Sequence, residues 1–143
     1  MPFKFNEELW NIGRKIEDDA LPLLNKYFEC DFKRNENDIW DILDFKDDEK
    51  KMIVEVKGRR ISSRAYAETI ITASKVTAGY KAIEEGYRVI FLFVFTDKTM
   101  YFELKEESSF KVTFTGTNCI EHYMIPVVDL KDLDDDKEVK EKE

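Results

Sequence analysis

Lys51-Met52-Ile53-Val54-Glu55-Val56-Lys57-Gly58 decides how this chain is read. An apolar run of strand length ends in an acid and a base two positions apart, and a glycine stops it. Alternate side chains of a strand share a face, so Glu55 and Lys57 project together. Upstream, Ile39 to Phe45 is a second apolar run that carries Asp41 and Asp44. The polar stretch Lys46-Asp47-Asp48-Glu49-Lys50 between the runs has the length of a reversal, so a hairpin is expected. Such a hairpin sets an acid of the first strand beside Glu55 and Lys57. Two carboxylates and an ammonium on one face suit a hard cation and an activated water.

Which aspartate faces Glu55 depends on register. A turn centred on Asp48 pairs Asp41 with Glu55 and turns Asp44 to the other face. A one-residue slip reverses this, and the turn sequence does not fix the register. Asp41 is the first choice, Asp44 the second and Asp38 the third. Glu-x-Lys by itself carries little, since it occurs four times in the chain. The copies beginning at Glu49 and Glu138 lie in a turn and a polar tail. Glu103-Leu104-Lys105 sits on a plausible strand with only Asp97 near it. Glu55 alone follows an acid-bearing strand and opens a basic segment.

That segment matters because the whole chain is acidic. Its 143 residues carry a net charge of −8, which disfavours nucleic acid as a partner. The distribution of charge points the other way. Val56 to Ile83 holds six basic residues and one acid, whereas Asp129 to Glu143 holds eight acids and four lysines. Arg59, Arg60 and Arg64 follow the candidate site directly and are expected to grip a phosphate backbone.

Composition narrows the class further. Hydrophobic residues make up 43% and charged residues 38%, as in a globular domain with a solvated surface. One domain over residues 1–128 with an acidic, flexible tail over 129–143 is the expected organisation. No apolar run approaches the ~20 residues of a membrane helix, and no signal-peptide pattern opens the chain. A soluble, cytoplasmic protein without membrane attachment is therefore expected. Cys30 and Cys119 lack any CxxC pattern and read as free thiols. The one histidine, His122, excludes histidine-rich zinc sites within a single chain. A metal here must rest on carboxylates, which favours Mg²⁺ or Mn²⁺.

Further elements follow from periodicity. Asn6 caps an expected helix with apolar positions Leu9, Ile12, Ile16, Ala20, Leu23 and Tyr27, in which Pro22 makes a kink or starts a second half. At roughly 100° per residue, Glu17 falls inside the apolar arc, so it is either a flank residue reaching water or a third acid aimed at the site. Phe28 to Lys33 reads as a short strand. A second helix is expected from about Arg64 to Glu85, with Ser62 or Ser63 as cap and Gly86 as stop, although Thr69 to Thr72 is β-prone. Lys75 on that helix has small neighbours that leave it room to reach a strand; a solvent-facing position is the other reading. Tyr87 to Phe95 is apolar on both faces, as in a central buried strand. Thr99 to Leu104, Phe110 to Phe114 and His122 to Val128 read as strands, with Pro126 at an edge or a strand end. The fold class is α/β, a mixed sheet flanked by helices.

With these residues assembled, the chain resembles the PD-(D/E)xK nuclease superfamily, in particular its small branch of archaeal Holliday junction resolvases. Glu17 matches the helical glutamate, Asp41-Ile42-Leu43 the aspartate with its aliphatics, and Ile53-Val54-Glu55-Val56-Lys57 the last motif. Trp40 departs from the proline that often precedes the aspartate. The resemblance runs from about Asn6 to Phe95. It implies a restriction-endonuclease-like αβββαβ core with extra C-terminal strands, and metal-dependent hydrolysis of phosphodiester bonds, first of all in DNA. It also implies Mg²⁺ or Mn²⁺ held by Asp41, Glu55, Glu17 and the Val56 carbonyl, with Lys57 as the catalytic lysine. Arg59, Arg60, Arg64 and Lys75 would then bind nucleic acid. A homodimer is compatible with cutting two strands, though no interface signal is visible. The rival expectation is a non-catalytic module that binds nucleic acid or protein on the same sheet.

Overall fold

A computed structural model of the chain describes residues 6–35, 43–115 and 120–133. The first helix, α1 (Glu7–Phe28), begins where Asn6 accepts a hydrogen bond from the Leu9 amide at 3.0 Å. Glu7 and Glu8 add negative charge at the positive end of the helix dipole. Pro22 lies inside this helix. Glu29, in the left-handed region, ends it. Phe28 therefore belongs to the helix, and the strand expected over Phe28 to Lys33 shrinks to β1 (Lys33–Arg34).

Next come β2 (Phe45–Asp47) and β3 (Met52–Gly58), which pair antiparallel as a hairpin. The chain then forms β4 (Glu68–Thr72), α2 (Ala73–Glu84), β5 (Arg88–Val94) and β6 (Thr99–Leu104). β7 (Lys111–Thr115), β8 (Ile120–Pro126) and β9 (Lys131–Asp132) complete the described elements. Strands β1-β2-β3-β5-β6-β9 make a mixed six-stranded sheet, and β4-β8-β7 a separate three-stranded one. β3 and β5 run parallel, since β4 and α2 carry the chain back between them. The protein is thus α/β, with two helices and two sheets among the described residues.

β5 shows why its sequence is apolar on both faces. Val89, Phe91 and Phe93 point into a core shared with Val76 and Ala82 of α2 and Ile125 of β8. Ile90 and Leu92 point the other way, onto Ala20 and Leu24 of α1. β3 alternates likewise. Met52, Val54 and Val56 face α1, and Ile53 faces α2. Gly79 lets α2 approach the sheet closely: a Cβ there would lie 2.7 Å from Leu104 and 3.2 Å from Val89.

One expectation is corrected. The helix expected from Arg64 starts only at Ala73, because Thr69 to Thr72 forms β4 and pairs with β8. β-branched side chains pack well on a pleated surface, and a partner strand supplied the bonds a helix would have made. Of the expected C-terminal strands, β7 and β8 join β4 in the second sheet. After Asp129 the described chain forms β9. β9 pairs with β6, and Leu133 is buried. Pro126, as expected, falls at a strand end. Among the described residues no helix is long and apolar enough to cross a membrane.

Candidate active site

The hairpin register brings the acids together. Asp47 closes the reversal: its Oδ1 accepts from the Glu49 and Lys50 amides, both at 3.0 Å, and its Oδ2 from the Asp31 amide at 2.8 Å. These bonds, led by that of Asp31, hold the Asp47 carboxyl below its ordinary range. Lys51, with φ 56°, completes the turn. The reversal therefore lies later than a turn centred on Asp48, and the pairs are Phe45 with Val54, Lys46 with Ile53 and Asp47 with Met52. Asp44, just before β2, stands close enough to Glu55 for its charge to act on that carboxyl.

The expected register, with Asp41 opposite Glu55 and Asp44 turned away, is corrected accordingly. Asp41 itself, like Asp38, lies outside the described residues. Asp44 Oδ2 accepts from the Val56 amide at 2.8 Å. Its side chain so continues the ladder one step beyond the end of β2.

Glu55 is 2% exposed. Val54 and Val56 on either side face α1, so Glu55 points to the α2 side. There Lys57 Nζ lies 3.4 Å from Oε2 and Lys75 Nζ 3.3 Å from Oε1. Among the described residues Oε1 has no hydrogen-bond partner beyond this ion pair with Lys75. Burial pushes the Glu55 carboxyl up to about 8; the charge of Asp44 adds to this, and Lys75 and Lys57 oppose it. Desolvation disfavours the charged form more than the two ammonium groups favour it. Lys75 comes from the first turn of α2 and reaches across to β3, one of the two readings its small neighbours allowed.

Other expected residues lie elsewhere. Glu17 is bound to Arg34 at 2.6 Å, and Arg34 also holds Asp18 at 2.7 Å. Arg34 stacks on Phe45, on the α1 side of the sheet, whereas Glu55 faces α2. Arg59 turns inward. Its guanidinium donates to the Ile70 carbonyl and to Thr69 Oγ1 and stacks on Phe93, and burial lowers its pKa. It braces β4 against the main sheet and is not an open phosphate grip. Arg60 and Arg64 are exposed, as a backbone-binding role requires.

Could these residues hold a cation? A buried carboxylate next to a second carboxylate suits a hard divalent ion. Among the described residues no three His, Cys, Asp or Glu side chains are grouped as a metal cluster. Mg²⁺ commonly takes one or two protein carboxylates and completes its shell with water and substrate oxygens. Asp44, Glu55 and the Val56 carbonyl are compatible with that arrangement.

Beside Lys57 a cavity of about 640 Å³ opens between the end of β3 and the edge of β4. Ile61, Tyr66, Thr72 and His122 are among its walls. Nothing in the sequence signalled it, because its walls meet only through the pairing of β4 with β8, where Thr72 lies opposite His122. No family model, no curated protein and no solved structure matches the chain.

Proposed function

We propose that the protein is a Mg²⁺- or Mn²⁺-dependent nuclease that hydrolyses phosphodiester bonds, with Asp44, Glu55 and Lys57 as its catalytic residues. The observation that carries this reading is the convergence of Asp44, Glu55, Lys57 and Lys75 near the carboxyl end of β3. Open α/β sheets take their ligands at such strand ends. The succession helix, three strands, helix, strand, with β3 parallel to β5, supports a PD-(D/E)xK nuclease core into which β4 is inserted. Asp44 takes the role that the sequence assigned first to Asp41.

Asp44, Glu55 and the Val56 carbonyl would hold the ion. When bound, a divalent ion lowers the pKa of an attached water and offsets charge on the scissile phosphate. Lys57, on the face of Glu55, orients the attacking water and donates to the phosphate oxygens as charge builds on them. Lys75 holds the Glu55 carboxylate from the opposite side and is a positioning residue. In the reaction a water oxygen bonds to phosphorus and one ester oxygen leaves. Arg60 and Arg64 supply sequence-independent affinity for the backbone.

The test incubates purified protein and Mg²⁺ with duplex, single-stranded and branched DNA and with RNA. Cleavage of at least one substrate is expected, and its loss in Glu55→Ala and in Lys57→Ala. Undiminished cleavage by either variant sinks the site. The second reading, a non-catalytic binding module, draws on the two lysines already seated on Glu55. Absence of cleavage together with absence of Mn²⁺ binding favours it.

A further inference from the structure

The cavity beside Lys57 extends the nuclease reading and rests on it. We infer that this cavity receives an unpaired nucleotide of the substrate strand, so that the protein acts on single-stranded or locally unpaired nucleic acid. Lys57 belongs both to the acid cluster and to the cavity wall. A nucleotide seated there would have its phosphate at the reacting end and its base in the cavity.

The walls suit a base. At about 640 Å³ the space exceeds what one nucleoside needs and falls within the range of small-molecule sites, roughly 300–1,000 Å³. Tyr66, 67% exposed, offers a ring at the mouth, and Ile61 an aliphatic surface. Any base can stack on such a ring, because every base has a π-face. Thr72, on the strand paired with that of His122, supplies a hydroxyl for a base edge. The loop bearing Ile61 and Tyr66 is fixed in place. Asp97 accepts from the Ser63 amide at 2.8 Å and hydroxyl at 2.7 Å, and the Thr96 amide donates to the Ile61 carbonyl at 3.0 Å.

The opposing occupant, an extended peptide added to the edge of β4, is disfavoured. The Arg59 guanidinium already takes the Ile70 carbonyl of β4. A base held in a duplex cannot enter, since it must first leave its stack, and that cost is least where the base is already unpaired. Charge points the same way. In a chain of net charge −8, with Arg59 turned inward, broad docking on a duplex has little electrostatic support. Binding that relies on stacking needs fewer phosphate contacts.

The experiment compares cleavage by the full chain in Mg²⁺ of a single-stranded DNA, a single-stranded RNA, a blunt DNA duplex and a hairpin with an unpaired flank. A 2-aminopurine in the unpaired segment reports stacking by its emission. At least tenfold higher kcat/KM on unpaired than on blunt substrate is expected. Tyr66→Ala should lower kcat/KM on the unpaired substrate about tenfold and abolish the emission change, and Tyr66→Phe should restore both. The DNA and RNA arms tell which strand the cavity takes. Cleavage that favours the blunt duplex, or that ignores Tyr66→Ala, overturns the inference and leaves the nuclease reading standing. Tyr66-dependent quenching without cleavage of any substrate does the opposite: the cavity stands as a strand-binding site and the nuclease reading falls.

Discussion

Glu55→Gln puts the electrostatics of the site to a quantitative test. The substitution keeps the shape of the side chain and removes its charge. In metal-free protein Glu55 is pushed from 4.5 to about 8, first by burial and then by Asp44. A raised acid works against the fold as pH rises. Below 4.5 the group is protonated in both states and contributes nothing. Between 4.5 and 8 the unfolded chain gives up a proton that the folded protein keeps, so stability falls; above 8 the loss is constant. At about 1.4 kcal/mol per pH unit, the handicap at pH 7 is about 3 kcal/mol. Glutamine escapes it. Urea unfolding in EDTA, followed by circular dichroism from pH 4.5 to 8.5, should show the variant more stable by a margin that grows with pH. A gap of about 3 kcal/mol would move the urea midpoint by about 1 M or more. Added Mg²⁺ should raise the wild-type midpoint and leave the variant unmoved, since a ligand of the folded state stabilises it. A variant that is less stable at every pH refutes the reasoning. It would mean that Lys57 and Lys75 hold Glu55 charged and that the pair supports the fold.

Other outcomes follow from the same contacts. Arg59→Ala should cost about 1–3 kcal/mol, because it strips a partly buried carbonyl of its donor, whereas Arg60→Ala should leave thermal unfolding unchanged and weaken nucleic-acid binding; equal unfolding midpoints for both variants would contradict the inward placement. Gly79→Val drives a branched side chain into Leu104 and Val89, and overpacking of this kind costs on the order of 2–3 kcal/mol by denaturant unfolding. Asp97 is held at about 2 by its bonds to Ser63. A depressed acid contributes stability above its ordinary 3.8 that disappears as pH falls toward 2, so Asp97→Ala should flatten the acid limb of the stability curve over that window. An unchanged limb would show that the Ser63 contact does not form.

Local patterns carried part of this structure and non-local ones the rest. Asn6 begins a helix because its side chain reaches an amide three residues on, and that is written in the sequence. The two-sided apolar run of β5 and the shared face of Glu55 and Lys57 are equally local, one from composition and one from the pleat. Register is another matter. It is set by Asp47, whose carboxylate binds turn amides and, from far upstream, the amide of Asp31, so Phe45 comes to pair with Val54. Thr69 to Thr72 is a strand only because β8 arrives to pair with it.

The residues of the site divide the same way. Glu55 and Lys57 were determined by spacing along one strand. Whether Lys75 meets Glu55, whether Glu17 turns to Arg34 and whether Arg59 points inward depended on elements brought together only by folding. Chain order fixes neighbours along a helix or a strand, since their geometry repeats every few residues. Partners across a sheet are selected by packing and charge among distant segments, and that selection belongs to the tertiary structure.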